Sequence, residues 1–149
     1  MKSTRRSASI ARLSLCGLLS FADLQPLLPG AARGAPKTSV YSADLVTRLC
    51  RYTTASSSTP AVELVVWGAL NSAGDQVLDL AMKNLGTSRT AVSGLGDRAS
   101  YWEQGSSNNG LVARKGPYAV DVTAYGFAPL VKQELLDPPV RKALGAVAP

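Results

Sequence analysis

The sequence predicts an α+β fold in which an antiparallel β-sheet of about five strands, arranged as a meander, packs against one or two helices. Three observations predict it. Residues 49–54 and 61–67 are two runs rich in β-branched and aromatic residues, separated by the polar loop Ala55-Ser56-Ser57-Ser58-Thr59-Pro60. Between residues 71 and 85 apolar side chains recur at helical spacing. Farther on, Leu111-Val112-Ala113-Arg114-Lys115 and Tyr118-Ala119-Val120-Asp121-Val122-Thr123-Ala124-Tyr125 face each other across Gly116-Pro117, as a hairpin would.

Composition sets the frame for these elements. A chain of 149 residues fits one domain, long enough to bury roughly two-thirds of the surface its unfolded form exposes. Apolar residues at 46%, charged residues at 17% and a mean hydropathy of +0.06 describe a globular chain, too polar for several membrane spans. The net charge of +6 is concentrated at the start, where Lys2, Arg5, Arg6 and Arg12 supply four of the sixteen cations. From residue 13 onward, twelve basic residues oppose ten acidic ones, a net of +2. Nucleic-acid binders gather cations on one face, with rings to stack bases or a helix to enter a groove. Arg114-Lys115 and Arg141-Lys142 are instead isolated pairs that read as solvated, so no nucleic-acid partner is expected. Histidine is absent, which removes the commonest general base and a frequent metal ligand.

In chain order, residues 1–15 read as a basic N-terminal segment, either a remnant signal or a disordered tail, and residues 16–149 as a single α+β domain. Lys2, Arg5 and Arg6 lead into Leu13-Ser14-Leu15-Cys16-Gly17-Leu18-Leu19 as an export signal does, with a hint of a twin-arginine motif at Thr4-Arg5-Arg6. Arg12 and Asp23 bracket an apolar run far short of the roughly twenty residues a bilayer span requires. Any membrane anchoring is therefore expected through the N-terminus alone. A second reading folds this region into the domain: Ser20 caps a helix with Asp23 at its third position, ahead of Leu24, Leu27 and Leu28. Pro26 requires that helix to be short or kinked, and Gly30 supplies its stop. Cys16 and Cys50, the two cysteines, either form a disulfide or are unrelated buried thiols. A bridge would close a loop of about 35 residues and stabilise by roughly 3 to 4 kcal/mol. Two thiolates without histidine fall short of a zinc shell.

Residues 29–38, with Pro29, Gly30, Gly34 and Pro36, read as loop, and residues 39–44 give no decisive period. After the 49–67 hairpin, Asn71 or Ser72 caps a helix to about Asn84, whose stripe of Val77, Leu78, Ala81, Met82 and Leu85 faces the sheet, and Gly86 ends it. Ala91-Val92 and Ala99-Ser100-Tyr101-Trp102 flank the turn Gly94-Leu95-Gly96-Asp97, where two glycines one residue apart imply positive φ or close backbone approach. A loop spans residues 106–110. In the last strand Tyr118, Val120 and Val122 share a face, with Asp121 and Thr123 on the opposite one, as when one face is buried. The tail reads as a helix around residues 129–136 and a second, short helix opened by Asp137 with Pro138 or Pro139 in its first turn. Leu130, Val131, Leu135 and Leu136 would cover the sheet.

Four motifs in this order, Cys16-Gly17-Leu18-Leu19-Ser20 through Asp23, Cys50-Arg51-Tyr52, Gly94-Leu95-Gly96-Asp97-Arg98-Ala99-Ser100-Tyr101-Trp102 and a strand ending Lys115-Gly116, resemble a family of small secreted bacterial lipoproteins of unknown function, abundant in actinobacteria. The resemblance covers about residues 16–131. It implies an extracellular or cell-envelope domain, a disulfide between Cys16 and Cys50, and no established chemistry.

The functional expectation is a non-catalytic envelope binding or interaction domain whose partner is an envelope protein or a small ligand. Asp97, Tyr101, Trp102 and Asn108 form its candidate interaction surface. The alternative is a structural accessory subunit that works through a protein partner, and a small hydrolase ranks third. Gly94-Leu95-Gly96 lacks the further glycine and the Lys-Ser/Thr of phosphate-cradling loops, so no cofactor is expected. Asp75 and Asp79 sit near a helix start, where carboxylates favour the macrodipole. Asp97 reads as closing its turn by accepting backbone amides.

Overall fold

The computed structural model describes residues 13–37 and 39–148. Residues 1–12, most of the expected basic segment, lie outside the described residues. A single 3-10 turn, Leu15–Gly17, precedes helix α1 (Phe21–Leu24), strands β1 (Ala31–Pro36), β2 (Val40–Tyr41), β3 (Leu45–Thr54) and β4 (Ala61–Ala69), and helix α2 (Ser72–Lys83). Strands β5 (Ser88–Val92), β6 (Arg98–Gln104), β7 (Asn108–Lys115) and β8 (Tyr118–Tyr125) follow, and helix α3 (Gln133–Val147) completes an α+β chain.

The sheet has eight antiparallel strands, not about five, in the order β1-β3-β4-β8-β7-β6-β5, with β2 also paired to β3. β1, β2 and β5 are the additional strands. All three lie at edges, and every side chain in them is exposed except Ala31 and the half-buried Val92. With no buried face they carry no alternating pattern, which is why residues 29–38 read as loop and residues 39–44 give no decisive period. The meander runs β5 to β8, after which β8 pairs with the earlier β4.

Helix α1 forms as its cap predicts. The Ser20 hydroxyl accepts the Asp23 amide at 3.1 Å and the Asp23 carboxylate accepts the Ser20 amide at 2.7 Å. α2 is capped by Asn71, whose Oδ1 accepts the Gly74 amide at 2.9 Å. Its buried stripe is narrower than the sequence implies, since Leu78 and Met82 are buried while Val77 is 48% exposed. The tail is one helix, not two: α3 continues through Pro138 and Pro139. Proline cannot donate to the carbonyls of Glu134 and Leu135, but both residues are exposed, where solvent can satisfy them. Leu136, Val140, Ala143, Leu144 and Val147 then lie against the sheet, whereas Leu135 faces outward.

Each sheet face has its own apolar cluster. On one, Val46, Cys50, Tyr52, Leu64, Val66, Leu111, Val120 and Val122 meet α3 and the N-terminal leucines Leu15, Leu19, Leu24, Leu27 and Leu28. On the other, Ala69, Trp102, Val112 and Ala119 meet Leu78 and Met82 of α2. The Asp121 face of β8 is thus covered rather than solvated, and Asp121 and Thr123 are 1% and 2% exposed. A disulfide joins Cys16 to Cys50 across Cα atoms 5.4 Å apart, fastening the N-terminal turn to β3, and the Tyr52 hydroxyl donates to the Cys16 carbonyl at 2.9 Å beside it.

Candidate binding site

The turn Gly94-Leu95-Gly96-Asp97 links β5 to β6, and both glycines take positive φ, 76° and 62°. Leu95 drops into the core at 2% exposure. A Cβ on Gly96 would meet the Arg114 carbonyl at 2.5 Å, so the backbone lies flush on β7. Three hydrogen bonds hold it there. The Asp97 amide donates to the Arg114 carbonyl at 2.7 Å, and the Asp97 carboxylate accepts the Gly116 amide at 2.7 Å. Asp97 therefore closes the neighbouring β7–β8 turn rather than its own. On the other side Arg141 of α3 donates to the Gly94 carbonyl at 3.1 Å and pairs with Asp137 at 3.0 Å.

A cleft of about 370 Å³ opens between this turn and the last turns of α3. Leu144 and Ala148 give it an apolar floor, and Asp97, Lys115 and Arg141 give it charged rims. Gly145 lines it too, at a helical position where a Cβ would meet no atom within 4 Å. Glycine inside a helix costs about 1 kcal/mol relative to alanine, and packing does not require it here. The position faces the open space of the cleft.

The other expected surface residues are distributed differently. Tyr101 and Trp102, adjacent on β6, point to opposite faces. Trp102 is buried at 4% exposure and offers no surface for a partner. Its ring lies over Gly110, where a Cβ would sit 2.5 Å from it, and its Nε1 donates to the Asp121 carboxylate at 2.8 Å. Thr123 donates to the other Asp121 oxygen. Burial pushes the Asp121 carboxyl up to about 7, with the nearby Glu63 carboxylate adding to the shift and the two hydrogen bonds opposing it. Tyr101 is half-buried, donating to Glu103 at 2.8 Å and accepting from Asn109 at 3.0 Å. Asn108 accepts the Gly126 amide at 3.1 Å, at the far end of the sheet from the Gly94 turn. Of the four expected residues, only Asp97 borders the cleft.

Arg114, expected to be solvated, is 8% exposed. It donates to Asp75 at 2.9 Å and Asp79 at 2.5 Å, and to the Gly116 carbonyl at 3.0 Å, clasping α2 to β7. Arg98 also pairs with Asp79. The two carboxylates thus serve this ion cluster besides the helix dipole. Arg141 and Gly145 escaped the sequence reading because their contribution depends on α3 reaching back to a turn some fifty residues earlier in the chain.

The fold and cleft define a class: a small, disulfide-fastened α+β domain with an open surface cleft at a glycine-rich turn. Comparison with protein-family models, curated proteins and solved structures finds no match.

Proposed function

We propose that the chain is a non-catalytic binding domain of the cell envelope or extracellular space, with its ligand seated in the cleft between the Gly94 turn and α3. The observation that carries this reading is the cleft itself, walled by a turn fixed through hydrogen bonds and floored by Leu144 and Ala148 of α3 and its C-cap. A rigid concave surface combining an apolar floor with a few convergent charges is what small-ligand sites share. The Cys16–Cys50 disulfide supports the compartment, because such bonds persist in oxidising surroundings. The resemblance of the four motifs to small secreted lipoproteins supports it as well, with attachment to the membrane, if any, through the N-terminus. The chemistry-bearing groups favour binding over turnover: the one carboxyl pushed close to neutrality, Asp121, is 1% exposed and bonded through both oxygens.

The test is an amide NMR titration of the ¹⁵N-labelled, disulfide-intact chain with small-molecule fractions from cell envelopes. The expected result is shifts confined to the Gly94 turn, Lys115 and residues 141–148, abolished in Gly145→Leu, whose side chain would fill the cleft. Shifts elsewhere, or shifts that survive Gly145→Leu, overturn the cleft as the site.

A further inference from the structure

We propose that β5 is a docking edge for an extended, acidic segment of a partner protein, a surface separate from the cleft and independent of it. The two edges of the sheet are unlike. At one end β1 carries a register shift between Ala31 and Arg33 and a proline, Pro36. Bulges and prolines are the devices by which proteins discourage strand addition. At the other end β5 pairs with β6 in unbroken register from Ser88 to Val92, without proline or bulge, and among the described residues no strand lies on its outer side. Four of its five residues are exposed. Alternate backbone N–H and C=O groups of β5 thus point outward, the template that β-augmentation uses.

The chemistry of the partner follows from the groove beside that edge. Between α2 and the strands β5 and β6 runs a hollow of about 160 Å³ bordered by Lys83, Arg89 and Arg98, with Asp79 as its one acid. Asp79 is already engaged by Arg98 and by the buried Arg114. Lys83 and Arg89 are thus the cations in excess. Arg89 is held at the groove because its guanidinium donates to the Leu85 and Gly86 carbonyls at 2.9 and 3.1 Å, at the C-terminal end of α2. Arg89 and Ala91 of β5 and Arg98 and Ser100 of β6 line the same groove, so they share one sheet face. A strand added to β5 places every second side chain on that face. Acidic residues at alternate positions would then meet Lys83 and Arg89, while the backbone pairs with β5. Backbone pairing supplies the affinity and the charges select the partner.

The experiment uses the full, disulfide-intact chain and a fluorescein-labelled peptide of alternating Val and Glu, read by anisotropy and by hydrogen exchange at residues 88–92. Binding is expected, with exchange slowed at Ser88–Val92 and with affinity at least tenfold lower for the same peptide carrying Lys in place of Glu. The double variant Lys83→Gln, Arg89→Gln should weaken the Glu peptide about tenfold and leave β5 folded, as its exchange without peptide would show. Two versions of the peptide, N-methylated on one or the other set of alternate amides, separate pairing from adsorption. One should lose binding and the other keep it. No binding of the Glu peptide, equal binding of both N-methylated versions, or a β5-paired dimer in sedimentation without peptide would each overturn the proposal.

Discussion

Replacing Asp121 by Asn tests how the sheet carries a carboxyl group that is 1% exposed. Burial raises this group from the ordinary value of 3.8 to about 7. In the unfolded chain it ionises near pH 4, in the fold near pH 7. Between those values the unfolded state has released a proton that the folded state still holds, so unfolding becomes easier as the pH rises. The stability linked to the neutral form is fully present below about pH 4 and is lost through about pH 7. Three pKa units at 1.36 kcal/mol each amount to roughly 4 kcal/mol. Asparagine keeps the shape, can accept from Trp102 and donate to Thr123, and does not titrate. Urea unfolding followed by tryptophan fluorescence, at pH 4.5, 6 and 8, should show Asp121→Asn gaining on the parent by about 3 kcal/mol across that range, and exceeding it at pH 8. A gap that stays constant with pH would refute the reasoning, because it would mean that the carboxyl is ionised in the fold throughout.

Gly110→Ala should drive a Cβ into the Trp102 ring, now 2.5 Å from that position, costing about 1–3 kcal/mol by overpacking and shifting tryptophan emission as the Asp121 bond loosens. Arg114→Met should cost roughly 2 kcal/mol in denaturant unfolding, less than breaking a fully buried pair, because the Asp75 and Asp79 side chains are 41% and 38% exposed. Gly145→Ala should raise stability by about 1 kcal/mol, since helix propensity improves and the added methyl meets nothing within 4 Å; a loss of stability would show that this glycine is needed for packing.

The parts of the fold that the sequence made legible are those whose signal is local. The β3–β4 hairpin, the Asn71-capped helix, the positive-φ glycines of the 94–97 turn and the pairing across Gly116-Pro117 each announce themselves within about twenty residues of chain. The edge strands β1, β2 and β5 do not, because a strand without a buried face shows no period. The tail was legible as helical but not as continuous, since Pro138 and Pro139 argue locally for a start, whereas the apolar contacts of α3 with the sheet hold one helix through both. Polar partnerships were the least visible. Arg114 meets Asp75 across 39 positions of chain and Trp102 meets Asp121 across 19, and neither pairing leaves a spacing to read. One signal was present: Asp121, set among valines in a strand whose neighbours were all apolar or small, could have been read as a buried acid in need of a donor such as a tryptophan. Likewise the Gly94 turn marked one wall of the cleft, but Arg141 and Gly145 on the other wall became its partners only through the docking of α3.

The Cys16–Cys50 bond carries both the compartment proposed for this chain and the fastening of its N-terminal turn to β3. Its most direct test is a thiol titration of protein taken from the cells that make it, alkylated at lysis and kept free of reductant. No reactive thiol is expected in denaturant before reduction and two after it; two reactive thiols in the unreduced protein would contradict the disulfide and the compartment drawn from it.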